Sequence, residues 1–95
     1  MINHNLLLKL QDRSSENVAD TRDLLMSMRE KIEVIRDLKV KEDIRHAESS
    51  WDIALIARFD TMADFQAYLP HPAHVAVAGQ LKNRVAAMAA VCFED

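Results

Sequence analysis

Three of the rings able to move a proton in this 95-residue chain crowd into one run, AYLPHPAHVAV, over residues 67–77. They are Tyr68, His71 and His74. An imidazole titrates near neutrality and can accept or return a proton, and a phenol can donate a hydrogen bond to an oxygen that gains negative charge. Sharing one apolar cavity, a neutral imidazole and a phenol suit enolisation or aldol-type proton transfers.

The two prolines of the run set the positions of these rings. Pro70 ends a preceding helix, and His71, placed before Pro72, is pushed toward an extended conformation. Pro72 suits the first position of a new helix, which puts His74 in its first turn. Ala78, Leu81 and Val85 follow on the same face, so the imidazole of His74 points inward. The positive end of the helix dipole disfavours imidazolium there and keeps the ring a neutral base. His4, on the first strand, completes a candidate group with Tyr68 and His74. A second reading explains the same residues without catalysis: buried rings need partners, and Tyr68 and His74 can hydrogen-bond backbone around the corner and hold two helix ends together. A metal is not expected. His71 and His74 are three apart, but His71 precedes the helix and no nearby carboxylate or cysteine completes a ligand set. No cofactor is expected either, and His46, in the polar run EDIRHAESS, reads as an ordinary surface residue.

The elements that must carry these rings follow from periodicity. HNLLLKL, residues 4–10, puts His4, Leu6, Leu8 and Leu10 on one face of a strand. From Ser15 to Ile32 a long amphipathic helix is predicted, capped by Ser14 or Ser15, with Val18, Leu25, Met28 and Ile32 at helical spacing. A charged edge strand is predicted within 33–45, built on Val34, Leu38 and Val40. The clearest strand is WDIALIARFD, residues 51–60. Its second face carries Ala54 and Ile56, which helices on the other side leave bare, so a second copy of the same sheet is the expected cover. DTMADF starts a short helix with Met62, Phe65 and Leu69 on its buried side. Residues 87–94, AMAAVCFE, read as a small-residue apolar strand with Cys92 as a small core residue. The order β-α-β-β-α-α-β is that of an α+β, ferredoxin-like split βαβ fold with a four-stranded antiparallel sheet.

Composition narrows the function classes. Residues 1–95 form one expected domain, whose thin core a partner would extend. Twelve basic and fifteen acidic residues give a net charge of -3 with the signs interspersed, so no nucleic-acid partner is expected. The leucines of MINHNLLLKLQDR are cut short by charge before a membrane span or signal core could form, so no membrane partner is expected and the chain reads as cytoplasmic. A single cysteine fits that reducing compartment.

His4, the strand WDIALIARFDT, and above all YLPHPAHV followed by a helix and a final apolar strand resemble the stress-responsive A/B barrel (Dabb) family across essentially the whole chain. The resemblance implies a homodimeric α+β barrel. In it, two four-stranded sheets pack face to face, here through the face bearing Ala54 and Ile56, and a small cavity for an apolar ligand lies between sheet and helices of each subunit. Most such proteins have no established reaction. One plant branch holds a polyketide cyclase, and carrying its site over by motif position puts Tyr68 and His74 in acid/base roles, with His4 and His71 lining or shaping the pocket. This chain departs from the pattern in two places. Cys92, ahead of Phe93, stands where many relatives carry an acidic residue, and Gly79 is the only glycine.

Overall fold

A computed structural model describes residues 1–95. Strand β1 (Ile2–Leu10) leads to helix α1 (Ser15–Met26), then β2 (Asp37–Glu42), β3 (Ile53–Phe59), α2 (Met62–Tyr68), α3 (Pro72–Leu81) and β4 (Val85–Glu94). The strands form one sheet in the order β2-β3-β1-β4, and every neighbouring pair is antiparallel. This is the ferredoxin-like α+β arrangement expected from the element order.

Register assigns the two faces. Leu6 pairs with Leu55 and His4 with Ala57, so the even residues of β1 and the odd residues of β3 share one side of the pleat. That side carries the core: Leu8, Leu10, Ile53, Leu55, Ala57 and Phe59 pack with Leu25, Met28, Tyr68, Val77 and Leu81 from the helices and the segment after α1. The opposite, open face bears Asn3, Asn5 and Leu7 of β1 beside Arg58, Ile56 and Ala54 of β3. No helix lies on it, and Leu7 is exposed.

Helix starts obey local chemistry. The Ser14 hydroxyl accepts the Asn17 N–H at 3.3 Å, and the Thr61 hydroxyl accepts the Asp64 N–H at 3.1 Å. Helix α3 is capped instead by an imidazole: His71 Nδ1 accepts the Ala73 N–H at 3.0 Å, with Pro72 at the first helical position.

Four sequence expectations shift. Helix α1 ends at Met26, not Ile32, and the next turn is held by bonds spanning three residues, Met28 N–H to Leu25 O and Lys31 N–H to Met28 O. Met28 and Ile32 remain buried, and the Ile32 N–H still bonds the Met28 carbonyl four residues back, which keeps the two side chains on one side of the turn. Strand β2 is confined to six residues at the sheet edge. In α2 the buried side chain is Tyr68, while Met62 and Leu69 are largely exposed. Strand β4 is an edge strand exposed along almost all its length, so Cys92 is an exposed thiol and not a core residue. No helix of the chain is long and apolar enough to cross a membrane.

Candidate functional site

Between the helix-side face of β1 and the segments carrying Met28, Tyr68, His74 and Leu81 lies a cavity of about 40 Å³. Ten residues line it, and His4 and His74 are the only two that are not hydrophobic. Space of that size holds roughly one to three waters.

Tyr68 is the deepest of the three rings. It closes α2, is 2% exposed, and packs 5.1 Å from Phe59 and 4.4 Å from His74 between ring centroids. Its hydroxyl meets only the thioether of Met28, at 3.9 Å. Sulfur is a weak acceptor, so the phenolic proton is held ready for a better partner. Burial pushes the phenol up to about 12, which keeps it a neutral donor at physiological pH.

His74 sits at the third position of α3, where the sequence put it. Its Nδ1 lies 2.8 Å from the carbonyl oxygen of Leu69. A carbonyl can only accept, so Nδ1 carries the proton and Nε2 carries the lone pair. The bond also satisfies one of the carbonyls left open where α2 ends. His74 therefore ties the corner together through one nitrogen and keeps the other basic.

His4 reaches the cavity from the centre of the sheet, with its ring 5.0 Å from Phe65 and 6.4 Å from Tyr68. Its Nδ1 is buried without a hydrogen-bond partner. Burial lowers its basicity first, and the charge His74 would carry lowers it further. Both imidazoles cannot easily be protonated together, so the cavity opposes positive charge.

The site thus brings together Tyr68, His74 and His4. His71 lies outside the cavity lining, its Nδ1 engaged in capping α3. Residues not singled out as site residues complete the wall: Leu6, Leu55, Val77 and Ala78 line it alongside Leu25, Met28 and Leu81. Their helical and strand periodicity marks them as core, and only the fold reveals that they stop short of filling the space. Larger and more open hollows lack these rings; one of about 340 Å³ is walled by Lys41, Asp43, Trp51 and their neighbours at the end of β2 and β3. No group of three or more histidine, cysteine or acidic residues is arranged to hold a metal ion.

A family model described as the Stress Responsive A/B Barrel Domain matches residues 2–95. The chain belongs to this family. No curated protein matches it at a significant level. Among solved structures it resembles a dimeric protein of unknown function with a ferredoxin-like fold from Bacteroides fragilis, at 29% identity, covering 99% of this chain and 95% of that one with a TM-score of 0.83. A dimeric ferredoxin-like protein of unknown function from Thermobifida fusca is similar at 25% identity, with 99% and 90% covered and a TM-score of 0.86. The hydroxynitrile lyase of Passiflora edulis superposes with a TM-score of 0.82 over 97% of this chain and 90% of its own, but at 12% identity that likeness concerns the fold alone. The Bacteroides fragilis and Thermobifida fusca proteins are thus both described as dimers of unknown function.

Proposed function

We propose that this A/B barrel protein works as a cytoplasmic homodimer, one domain over residues 1–95, whose cavity binds a small, largely apolar molecule with one polar end. The observation that carries the reading is the combination of Tyr68 and His4 in the same lining: a phenol with only a thioether for a partner and an imidazole nitrogen with none. Buried polar groups are rarely left in that state, and a ligand carbonyl or hydroxyl would satisfy them. Residues 4, 68 and 74 contact the polar end, the aliphatic wall takes the rest, and His71 shapes the entrance to α3. The cavity is small, so anything larger than a few atoms enters by displacing the side chains that line it. The reading involves no cofactor, nucleic acid or membrane.

The dimer forms through the open sheet face bearing Ala54 and Ile56, in keeping with the dimeric relatives. Ile56→Glu tests it by sedimentation: monomers are expected, and an unchanged dimer overturns the face-to-face arrangement. Ligand binding is tested by thermal shift against small carbonyl and phenolic compounds. A compound that stabilises the protein but not its Tyr68→Phe variant supports the site, and equal stabilisation of both overturns it.

A second reading, a polyketide-cyclase-like acid/base enzyme, is favoured by the fixed tautomer of His74. Its Nε2 takes a proton from carbon next to a carbonyl, the C–H electron pair moves into the carbon–carbon bond to form the enolate, and Tyr68 O–H donates to the enolate oxygen. Deuterium uptake from D2O into a bound ketone, lost in His74→Gln, would mark catalysis; binding without exchange leaves a binding protein.

A further inference from the structure

Asn5 occupies the centre of the open sheet face. Strands β3 and β1 are the two inner strands, and their seven register pairs run from Ile2 with Phe59 to Leu8 with Ile53. The middle pair is Asn5 with Ile56. On the other side Asn5 pairs with Val91 of β4, and it lines an apolar groove of about 490 Å³ with Leu7, Ala89, Ala90, Val91 and Phe93. A polar amide at the middle of so apolar a groove costs stability unless its hydrogen bonds are made. They are not made within the chain: Asn5 Nδ2 is buried and has no partner.

We infer that Asn5 hydrogen-bonds to Asn5 of a second copy of this chain and fixes the register in which two sheets meet. The inference rests on the homodimer proposed above and says which contact defines it. A two-fold interface is built from the same patch twice, and its axis lies in the plane midway between the sheets. With the axis passing over the centre of the sheet, Asn5 lies across from its own copy at the ~10 Å that separates packed sheets, a gap that two inward-reaching asparagine side chains bridge. An amide donates and accepts at once, so two facing amides satisfy each other as no other polar side chain of one kind does so simply. An apolar face alone would tolerate sliding by a residue pair, whereas a central amide pair is made only in one alignment; this is the role a single buried asparagine plays in coiled coils. The partner is therefore a second copy, placed with its β1 across from this β1.

Charge reversal at this position tests the contact. Asn5→Asp and Asn5→Lys, each confirmed as folded by circular dichroism, are compared alone and as an equimolar mixture by analytical ultracentrifugation. Each variant alone is expected to weaken dimerisation by about 100-fold or more, and the mixture to restore a heterodimer. Variants that dimerise like the wild type overturn the inference, and so does a mixture that stays monomeric. Should either charged variant fail to fold, Asn5→Cys in a Cys92→Ser background is treated with a short bis-maleimide. A covalent dimer is expected. A chain that sediments as a dimer but does not cross-link at position 5 overturns the Asn5 contact while leaving the homodimer standing; a wild type that sediments as a monomer removes the homodimer itself.

Discussion

The Nδ1 of His74 lies 2.8 Å from the carbonyl oxygen of Leu69, across the Pro-rich corner that joins α2 to α3. One contact does two things at once: it closes the open end of α2 and it dictates which ring nitrogen is basic. Long-range 15N–1H correlation should find His74 at pH 8 in the Nδ1–H tautomer, with Nε2 unprotonated. His74→Phe should cost about 1 kcal/mol in chemical denaturation, the size of a typical lost hydrogen bond. An Nε2–H tautomer would show the corner held in some other way.

Tyr68 is the only tyrosine of the chain, so its phenolate can be followed by absorbance without interference from another phenol. Burial raises it to about 12. A group raised in the folded state stabilises fully below its unfolded value, near 10, and that stability is lost as pH rises toward 12. A titration midpoint near 10 with the protein still folded would mean that the ring is in contact with water. Because the hydroxyl meets only a thioether, Tyr68→Phe should change stability by less than the ~1 kcal/mol of an ordinary hydrogen bond.

His4 behaves in the opposite direction. Its basicity is lowered by burial and then by His74, so the unfolded chain takes up the proton first as pH falls. Stability contributed by neutral His4 is fully present above the unfolded value of about 6.5 and is lost as pH drops below it toward the lower folded value. His4→Phe should flatten this acid limb of the melting-temperature profile between pH 7 and 5. An unchanged limb would assign it to other groups.

Asp52 is 6% exposed and holds the end of β1 to the segment before β3. Its carboxylate accepts the Leu10 N–H at 2.8 Å and Arg13 Nε at 2.9 Å, and Arg13 also reaches the carbonyls of Ala47 and Ser50. Arg13 is partly exposed and can rehydrate, so the main loss in Asp52→Ala is the acceptor for a buried N–H. Destabilisation of about 2 kcal/mol is expected, with the packing of the cavity residues unaffected. A loss of less than ~0.5 kcal/mol would show that water replaces the carboxylate.

Period-2 alternation made β1 and β3 readable, because one face of each is buried and the other is not. The corner was readable too, since Pro70 and Pro72 leave few conformations open, although the capping role of His71 was not. What periodicity could not convey was how far cover extends. Strand β4 is as apolar as a core strand, yet within one chain nothing lies over Met88, Val91 or Phe93. Cys92 pairs with His4 on the helix-side face, beyond the reach of the helices, so its apolar neighbours signal a burial that the fold does not supply. Met28 and Ile32 keep helical spacing beyond the end of α1 because the Ile32 N–H still bonds the Met28 carbonyl four residues back. The tie between Arg13 and Asp52 spans 39 positions and carries no local signal at all. Of the candidate site, Tyr68, His74 and His4 could be named from the chain, but the volume between them is a property of packing and has no sequence signature.

His4, Tyr68 and His74 are proposed to face one ligand, and a histidine-labelled NMR titration with small ketones and phenols, following all four imidazoles, reads this at the rings themselves. Saturable shifts are expected at His4 and His74, with little change at His46 and His71 and loss of the effect in Tyr68→Phe. Equal shifts at all four histidines, or movement of His46 and His71 alone, would contradict it.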